Sequence, residues 1–419
     1  MKHYKFNQTA PYFRAGDVLM IKGQYLPDMK KDGNIVHCRV LFPREDGRYL
    51  VRILDNNSFA LIDEDWIVGD GDVKFDDYTN FDRGVVRLVF FGNGQFALPT
   101  LKMLVERGYD VAAVVTMQDK EYGRGRKLRP SAVKEYAESV GIQVFQPKKL
   151  NSNRFLRRIH GLHASVGVCA EFRKIPAELI SIFHFGIINL HSSLLPSYRG
   201  ASTIASAIKD GCESTGVTTF YITEKIDTGD IINNYAIAIK ESDNAQDVFN
   251  RLKTIGAEMI DDALCLTKSL SRSMIGVRQT DLFNVFMQPS YAPKLHKEDC
   301  EIDWNKPAEK VYNFIRALSP MPTAWTTVKF IDQKEPIQVK IHKSSKTDIP
   351  RDYHAPGELF AQGHCLYISC SDNILRIEEL QFPNKRKMTA KEFLNGFRYA
   401  RKGFCDLKVE YPEETAKEI

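Results

Sequence analysis

Long apolar runs are missing from this sequence: nowhere in its 419 residues does one approach the roughly 18 apolar residues a membrane-crossing helix needs. Its first stretch, MKHYKFNQTAPYFRAGD, also lacks the apolar centre of a secretory signal, so a cytoplasmic protein is expected. Paired cysteine signals are absent too. The eight cysteines (38, 169, 212, 265, 300, 365, 370, 405) are scattered without a C-x-x-C pair, and a chain this long needs no disulfide framework. They read as reduced packing residues. Charge of either sign is only slightly in excess: 58 Lys+Arg against 53 Asp+Glu, a net +5, permits a polyanionic partner without demanding one.

What is present is apolar content, 43% of the chain, enough for large cores in two or three domains. From about 16 to 68, DVLMIKGQYL, NIVHCRVLF, RYLVRIL and FALIDEDWIV alternate with turn chemistry such as KKDGN and PREDG, which fits a small SH3-like β-barrel over 1–80. The acidic GDVKFDDYTNFDRG then reads as a linker. Beyond it the texture becomes strand-helix alternation: VVRLVFF, VAAVVT, ASVGVCAEF and GIINL are near-continuous apolar runs of the kind buried in parallel sheets, separated by helical stretches. A hairpin of TGVTTFYIT and DIINNYAIAI follows, and Asp243 with Gln246 predicts a capping box for a long amphipathic helix to about 268. This is a Rossmann-like open α/β sheet spanning 84–272. Five alternating strands from AWTTVKF to ILRIEELQF, flanked by helices near 307–318 and 391–400, have the size of an OB-like β-barrel within 291–410.

Gly92-Asn93-Gly94 after the first α/β strand has no third glycine where a dinucleotide fingerprint requires one, and Asp119 sits in a basic, Gly-rich loop. A plain strand-to-helix bend is the better reading. IINLHSSLLP is more informative. Ligands in open α/β sheets sit beyond the carboxyl ends of the strands, and period-2 alternation sends Asn189 and His191 to the same side of such an end. Asp227, in EKIDTGDII, lies in a loop that can fold back to orient the imidazole. A lone DTGD is more often a polar turn.

Together NLHSSLLPSYRGAS and GVTTFYITEKIDTGDI, with 227 − 191 = 36 residues from His to Asp, resemble the folate-dependent formyltransferase family. The resemblance spans about 85–405. It implies that Asn189, His191 and Asp227 act on the formyl group of 10-formyltetrahydrofolate. Asn189 and a protonated His191 would donate to the oxyanion formed when an amine adds, at about 3 kcal/mol per well-placed donor, and Asp227 would support the charged ring and move the proton. The co-substrate would lie against Ser193, Leu194, Leu195, Pro196 and Phe172. The chemistry calls for no metal and no covalent nucleophile. Between 120 and 134 there are six Lys/Arg and one Glu, whereas residues 1–80 hold 11 against 13. The GRGRKL segment, with Arg124, Arg126 and Lys127, is similar to the family branch that formylates methionyl-tRNA, in which an inserted basic loop enters the acceptor arm of the initiator tRNA. YAPKLHKEDCEIDW, RALSPMPTAW and NKRKMTAKEFL are similar to that branch's C-terminal barrel.

Two other readings stay open: the same chemistry on another amine such as an amino sugar or peptide, and a catalytically silent RNA-binding scaffold. Gly92-Asn93-Gly94 and Ala201-Ser202-Thr203 depart from the family's usual residues, and the slightly acidic residues 1–80 are an addition to it. For those residues a protein contact and an intramolecular lid are both open.

Overall fold

A computed structural model describes the strands at 18–22, 35–43, 48–53, 59–63 and 67–70, then residues 83–122, 127–269, 276–282, 288–328, 335–351 and 353–396. The early strands are β1 (Val18–Lys22), β2 (Ile35–Pro43), β3 (Arg48–Ile53), β4 (Phe59–Asp63) and β5 (Ile67–Asp70), antiparallel in the order β4-β3-β2-β1-β5. The sequence stretch FALIDEDWIV thus contributes to two strands, β4 and β5. Among the described residues no pairing closes this sheet into a barrel.

The next sheet contains β6 (Arg87–Gly92), β7 (Asp110–Val115), β10 (Val144–Phe145), β11 (Val166–Ala170), β12 (Ile187–His191), β14 (Ser214–Tyr221) and β15 (Ile231–Ala238). The short β8 (Lys120–Tyr122) and β9 (Lys127–Arg129) form a separate two-stranded hairpin. The seven strands run β10-β7-β6-β11-β12-β14-β15, parallel from β10 to β12, with β14 antiparallel to β12. Chain order proceeds outward from β6 in one direction and then from β11 in the other, so the sheet reverses between them, which is where such folds open a crevice. β6 and β11 are buried along almost their whole length, which is why they read as unbroken apolar runs instead of alternating ones. Helices α1 (Ala97–Glu106), α2 (Ala132–Ser139), α3 (Asn153–His160), α4 (Ala177–Ile180) and α5 (Thr203–Asp210) connect the strands. Val89, Phe91, Cys169 and Ile187 of the sheet pack with Phe155 and Ile159 of α3 in one apolar cluster.

The long helix α6 (Ala245–Ser269) begins one residue later than the expected capping box. Asn244, not Asp243, is its cap: Asn244 Oδ1 accepts from the amides of Gln246 (2.8 Å) and Asp247 (3.1 Å), and Asp247 Oδ2 accepts from the Asn244 amide at 3.0 Å. Asp243 is already committed to the Lys240 amide at 2.7 Å, so the neighbouring amide side chain takes the role.

β13 (Arg199–Gly200) pairs with β16 (Tyr291–Ala292). Helix α7 (Ala308–Ala317) leads into β17 (Ala324–Val328), β18 (Ile337–Pro350), β19 (Leu359–Gln362), β20 (Cys365–Ser369), β21 (Asn373–Gln381), β22 (Met388–Thr389) and helix α8 (Ala390–Gly396). These strands form an antiparallel sheet, β17-β18-β21-β20-β19 with β22 on β21, over a core containing Trp304, Val311, Ile315 and Leu375. β18 is 14 residues long because register shifts let it bend and keep pairing beyond the predicted stretch. No pairing among the described residues closes it into a barrel.

The chain forms two compact units: Met1–Arg199, Thr215–Ile237 and Arg251–Tyr291 make one; Gly200–Ser214, Ala238–Asn250 and Ala292–Ile419 make the other. No helix among the described residues is long and apolar enough to cross a membrane.

Candidate active site

The carboxyl ends of β6, β11 and β12 carry the polar groups expected from the sequence. In β12, Asn189 lies opposite Phe220 and His191 opposite Thr218 of β14, and the two share one face about 6.6 Å apart along the strand. His191 is buried and its ring meets Phe220 edge-on at 6.3 Å. Asp227, in the loop between β14 and β15, does fold back: its Oδ2 lies 3.9 Å from His191 Nδ1, with both side chains largely buried. Asp227 sits at φ 52°, a left-handed conformation uncommon for a residue with a Cβ.

Tautomer logic sharpens the role of the imidazole. His191 Nε2 lies 3.0 Å from the Tyr198 carbonyl, an oxygen that can only accept, so Nε2 carries a hydrogen and donates it. Nδ1, outside that bond, is the nitrogen facing Asp227. At 3.9 Å the carboxylate acts on the ring through charge and not through a hydrogen bond, which leaves an Nδ1–H available to a reacting oxygen. Tyr198 is also left-handed, at φ 56°, so both partners of the ring sit in sparsely populated backbone conformations.

Cys169 of β11 pairs directly beside Asn189. Burial, reinforced by the negative charge of Asp227, pushes its thiol pKa well above the usual range, so it stays protonated and is no nucleophile. Among the described residues no cluster of side chains could hold a metal ion.

The turn after His191 is held by its own atoms. Thr218 Oγ1 donates to the Ser193 carbonyl (2.7 Å) and accepts from the Leu195 amide (3.1 Å), while Ser193 Oγ donates to the Ser197 carbonyl at 2.7 Å. Ser193, Leu195 and Pro196 are buried, so they shape the turn; Leu194 packs where a side chain on Gly216 would stand. Phe172, half-buried, stacks obliquely 5.9 Å from Phe91 just past the end of β11. Arg124 and Arg126 lie outside the described residues; Lys127 opens β9, paired with Tyr122.

Two features near the site gave no sequence signal. Glu171, at the end of β11, accepts from the amides of Phe96 and Ala97 at the start of α1, at 2.9 Å for Phe96, and its carboxylate fills the space above Gly94. The helix end where a dinucleotide pyrophosphate would bind is thus already satisfied by a carboxylate of the chain. Asp119 is likewise committed, to Lys134 (2.7 Å) and Gln146 (2.7 Å), and the Lys134 hydrogen bond first, then Gln146, lowers its pKa. Asn93 ties the ends of β6 and β7 together by accepting from Thr116 Oγ1 (3.1 Å) and the Met117 amide (3.2 Å), which gives this departure from the family pattern a structural role. The second feature is Gln279, whose buried carboxamide touches the Asp227 loop.

Comparison with known proteins agrees with this geometry. A family model described as formyl transferase matches residues 86–264, and one described as formyl transferase, C-terminal domain, matches 294–398. The chain is 39% identical over 316 residues to a methionyl-tRNA formyltransferase of Parabacteroides distasonis, covering 75% of this chain and 96% of that protein. It is 40% identical over 313 residues to a methionyl-tRNA formyltransferase of Caldanaerobacter subterraneus subsp. tengcongensis, covering 74% and 97%. Among solved structures, an N-formyltransferase from Helicobacter canadensis, complexed with folinic acid and dTDP-3-aminofucose, superposes with a TM-score of 0.50 over 72% of this chain and 100% of that one. At 21% identity this is a likeness of fold.

Proposed function

The chain belongs to the formyl transferase family, and on that premise we propose that it moves a formyl group from 10-formyltetrahydrofolate to the amine of methionyl-tRNA, acting in translation initiation. The observation that carries this is the meeting of Asn189, His191 and Asp227 at one strand end. The donor set fits the co-substrate: an amide, an imidazole and a carboxylate suit acyl transfer, and the adjacent thiol is held inert by burial and charge. Bound 10-formyltetrahydrofolate supplies an activated one-carbon carbonyl.

The residues of the chain then act on charge and protons. When an amine nitrogen adds to that carbonyl, negative charge grows on its oxygen, and the Asn189 amide and an Nδ1–H of His191 are the donors at hand. Asp227, held at ion-pair distance, stabilises the imidazolium without competing for its hydrogen. The proton released by the nitrogen is relayed through these groups to the departing folate nitrogen. Half-buried Phe172 and the turn at Ser193–Pro196 form the wall against which the folate would lie.

The acceptor reading is supported by two basic surfaces beyond the carboxyl ends of the sheet. One is the β8–β9 hairpin, in which Lys120 pairs with Arg129 and Tyr122 with Lys127; Arg124 and Arg126 fall between the two strands in sequence. The other follows β10 and β11. Between 146 and 175 stand seven Lys/Arg (148, 149, 154, 157, 158, 173, 174) and one acid, Glu171. Arg173 donates to the carbonyls of Lys148 (3.1 Å) and Pro147 (2.6 Å), and Arg158 lies over the Phe145 ring, which gathers these two cations into one face at the end of β10. Such a face suits a phosphate backbone. We read residues 84–272 as the catalytic domain, 291–410 as an OB-like domain and 1–80 as an SH3-like accessory domain, in a cytoplasmic enzyme. The test is formyl-methionine release by purified protein given 10-formyltetrahydrofolate and methionyl-tRNA, beside free amino sugars and peptides. Turnover of the amines without turnover of the tRNA refutes the acceptor.

A further inference from the structure

Both groups that flank the His191 ring are held by the same distant stretch of chain. On one side, Ser290 accepts from the Tyr198 amide through its hydroxyl (2.8 Å) and from the Arg199 amide through its carbonyl (2.8 Å), fixing the backbone whose carbonyl takes the Nε2 hydrogen. On the other, Val277 and Ile231 exchange two backbone hydrogen bonds of 2.8 Å, which seats the stretch against the start of β15. That pairing delivers Gln279 to the Asp227 loop. Its carboxamide is fully used: Nε2 donates to the carbonyls of Asp227 (3.0 Å) and Gly229 (2.8 Å), and Oε1 accepts two bonds from the buried guanidinium of Arg199, at 3.2 and 2.6 Å. No other rotation of the amide satisfies both sides, because two carbonyls demand the NH₂ end and a guanidinium demands the oxygen.

We infer that Gln279 is a positioning residue for the formyl-transfer site: it clamps the carbonyls on either side of Thr228, keeps Asp227 in its left-handed conformation, and so sets the 3.9 Å spacing to His191. The clamp is what the Asp227 loop requires. A left-handed aspartate is unfavourable and persists only where its surroundings over-determine it. The hydroxyls of Thr223 and Thr228, bonded to each other and to the Lys225 carbonyl at 3.2 Å each, do not reach the carbonyls that Gln279 grips. A shift of about 1 Å in a catalytic group costs as much as 100-fold in rate, so a residue that never touches the reactants governs turnover here.

The inference rests on the formyltransferase reading of the site, and the experiment separates the two. Gln279→Glu keeps an acceptor for Arg199, and strengthens it, but faces the Asp227 and Gly229 carbonyls with oxygens in place of donors; Gln279→Ala removes both ends. Turnover of methionyl-tRNA and amide hydrogen exchange of residues 225–230 in the free protein are measured for both variants beside the unaltered chain. The expected result is a fall in kcat of at least tenfold in both, KM for either substrate within about threefold, and faster exchange confined to the loop. A Gln279→Glu protein that keeps its kcat, loses affinity alone, leaves loop exchange unchanged or fails to fold overturns the positioning role, since each of these outcomes makes Gln279 a partner of Arg199 or of the fold only. If the unaltered chain does not formylate tRNA, the acceptor reading fails, while the exchange measurement still decides the clamp.

Discussion

Asp227→Asn is the substitution that isolates charge from shape at the active site. Asparagine keeps the size of the side chain and the backbone carbonyl that Gln279 grips, so the loop stays in place and only the negative charge 3.9 Å from His191 Nδ1 is removed. Two unit charges at that distance interact by 332/(20 × 3.9), about 4 kcal/mol at an effective dielectric constant of about 20. The carboxylate is mostly buried, so solvent screens little of this. The tetrahedral species needs the ring as an imidazolium whose Nδ1–H meets the oxyanion, and Asp227 stabilises that form, so most of this energy appears in the rate of the chemical step; at about 1.4 kcal/mol per factor of ten, the loss is roughly 10²–10³-fold. Single-turnover formylation by rapid quench, with saturating tRNA and 10-formyltetrahydrofolate, measures it directly. KM for tRNA should hold, as the charge faces the ring and not the RNA. A variant that keeps more than a tenth of the single-turnover rate would falsify the electrostatic role given to Asp227.

Asp261→Ala should destabilise the first unit by about 3 kcal/mol in urea unfolding, because its carboxylate accepts from Arg83 (2.9 and 3.0 Å), Tyr109 (2.6 Å) and Arg107; partial exposure of the two arginines keeps the loss at the lower end for a buried ion network. Burial alone would raise the Asp261 pKa, but the Arg83 and Tyr109 hydrogen bonds and the nearby cations outweigh it and lower it. The stabilisation is therefore full above the ordinary carboxylate pKa and disappears as pH falls through the depressed one, so the gap between the two proteins should close below about pH 4. Gly229→Ala would place a Cβ 1.7 Å from the Tyr221 carbonyl, forcing the Asp227 loop to move; expect at least a 100-fold loss of kcat with the far-UV spectrum retained, and normal turnover would show that the loop need not hold its place. Arg157→Glu with Arg158→Glu should weaken tRNA binding and lower the slope of log K against log salt by about one for each phosphate no longer neutralised, without changing the single-turnover rate at saturation; an unchanged slope removes the α3 face from the tRNA surface.

The strands that read most clearly in the sequence are those whose burial is simplest. GIINL and the second halves of VVRLVFF and VAAVVT are buried on both faces, so composition alone marks them, and each forms a parallel strand of the central sheet. The capping box slid by one residue because either Asp243 or Asn244 can cap a helix, and only the competing bond from the Lys240 amide decides between them. Asn189 and His191 were legible as a pair because alternation along a strand is a local rule. Their meeting with Asp227 rested on resemblance, since a separation of 36 positions along the chain gives no local reason for the loop to return. Glu171, Tyr198 and Gln279 left no mark: a helix end satisfied from another strand, a backbone carbonyl and a buried amide carry no pattern along the chain.

The order of residues was enough to set the elements and the residue types at the strand end, because burial and side-chain alternation act over a few neighbouring residues. Which nitrogen of His191 faces Asp227 was decided only in three dimensions, with the other held by a carbonyl seven residues on. So was the position of Asp227, through an amide 52 residues away, since hydrogen bonds are set by proximity in space and leave no spacing to read.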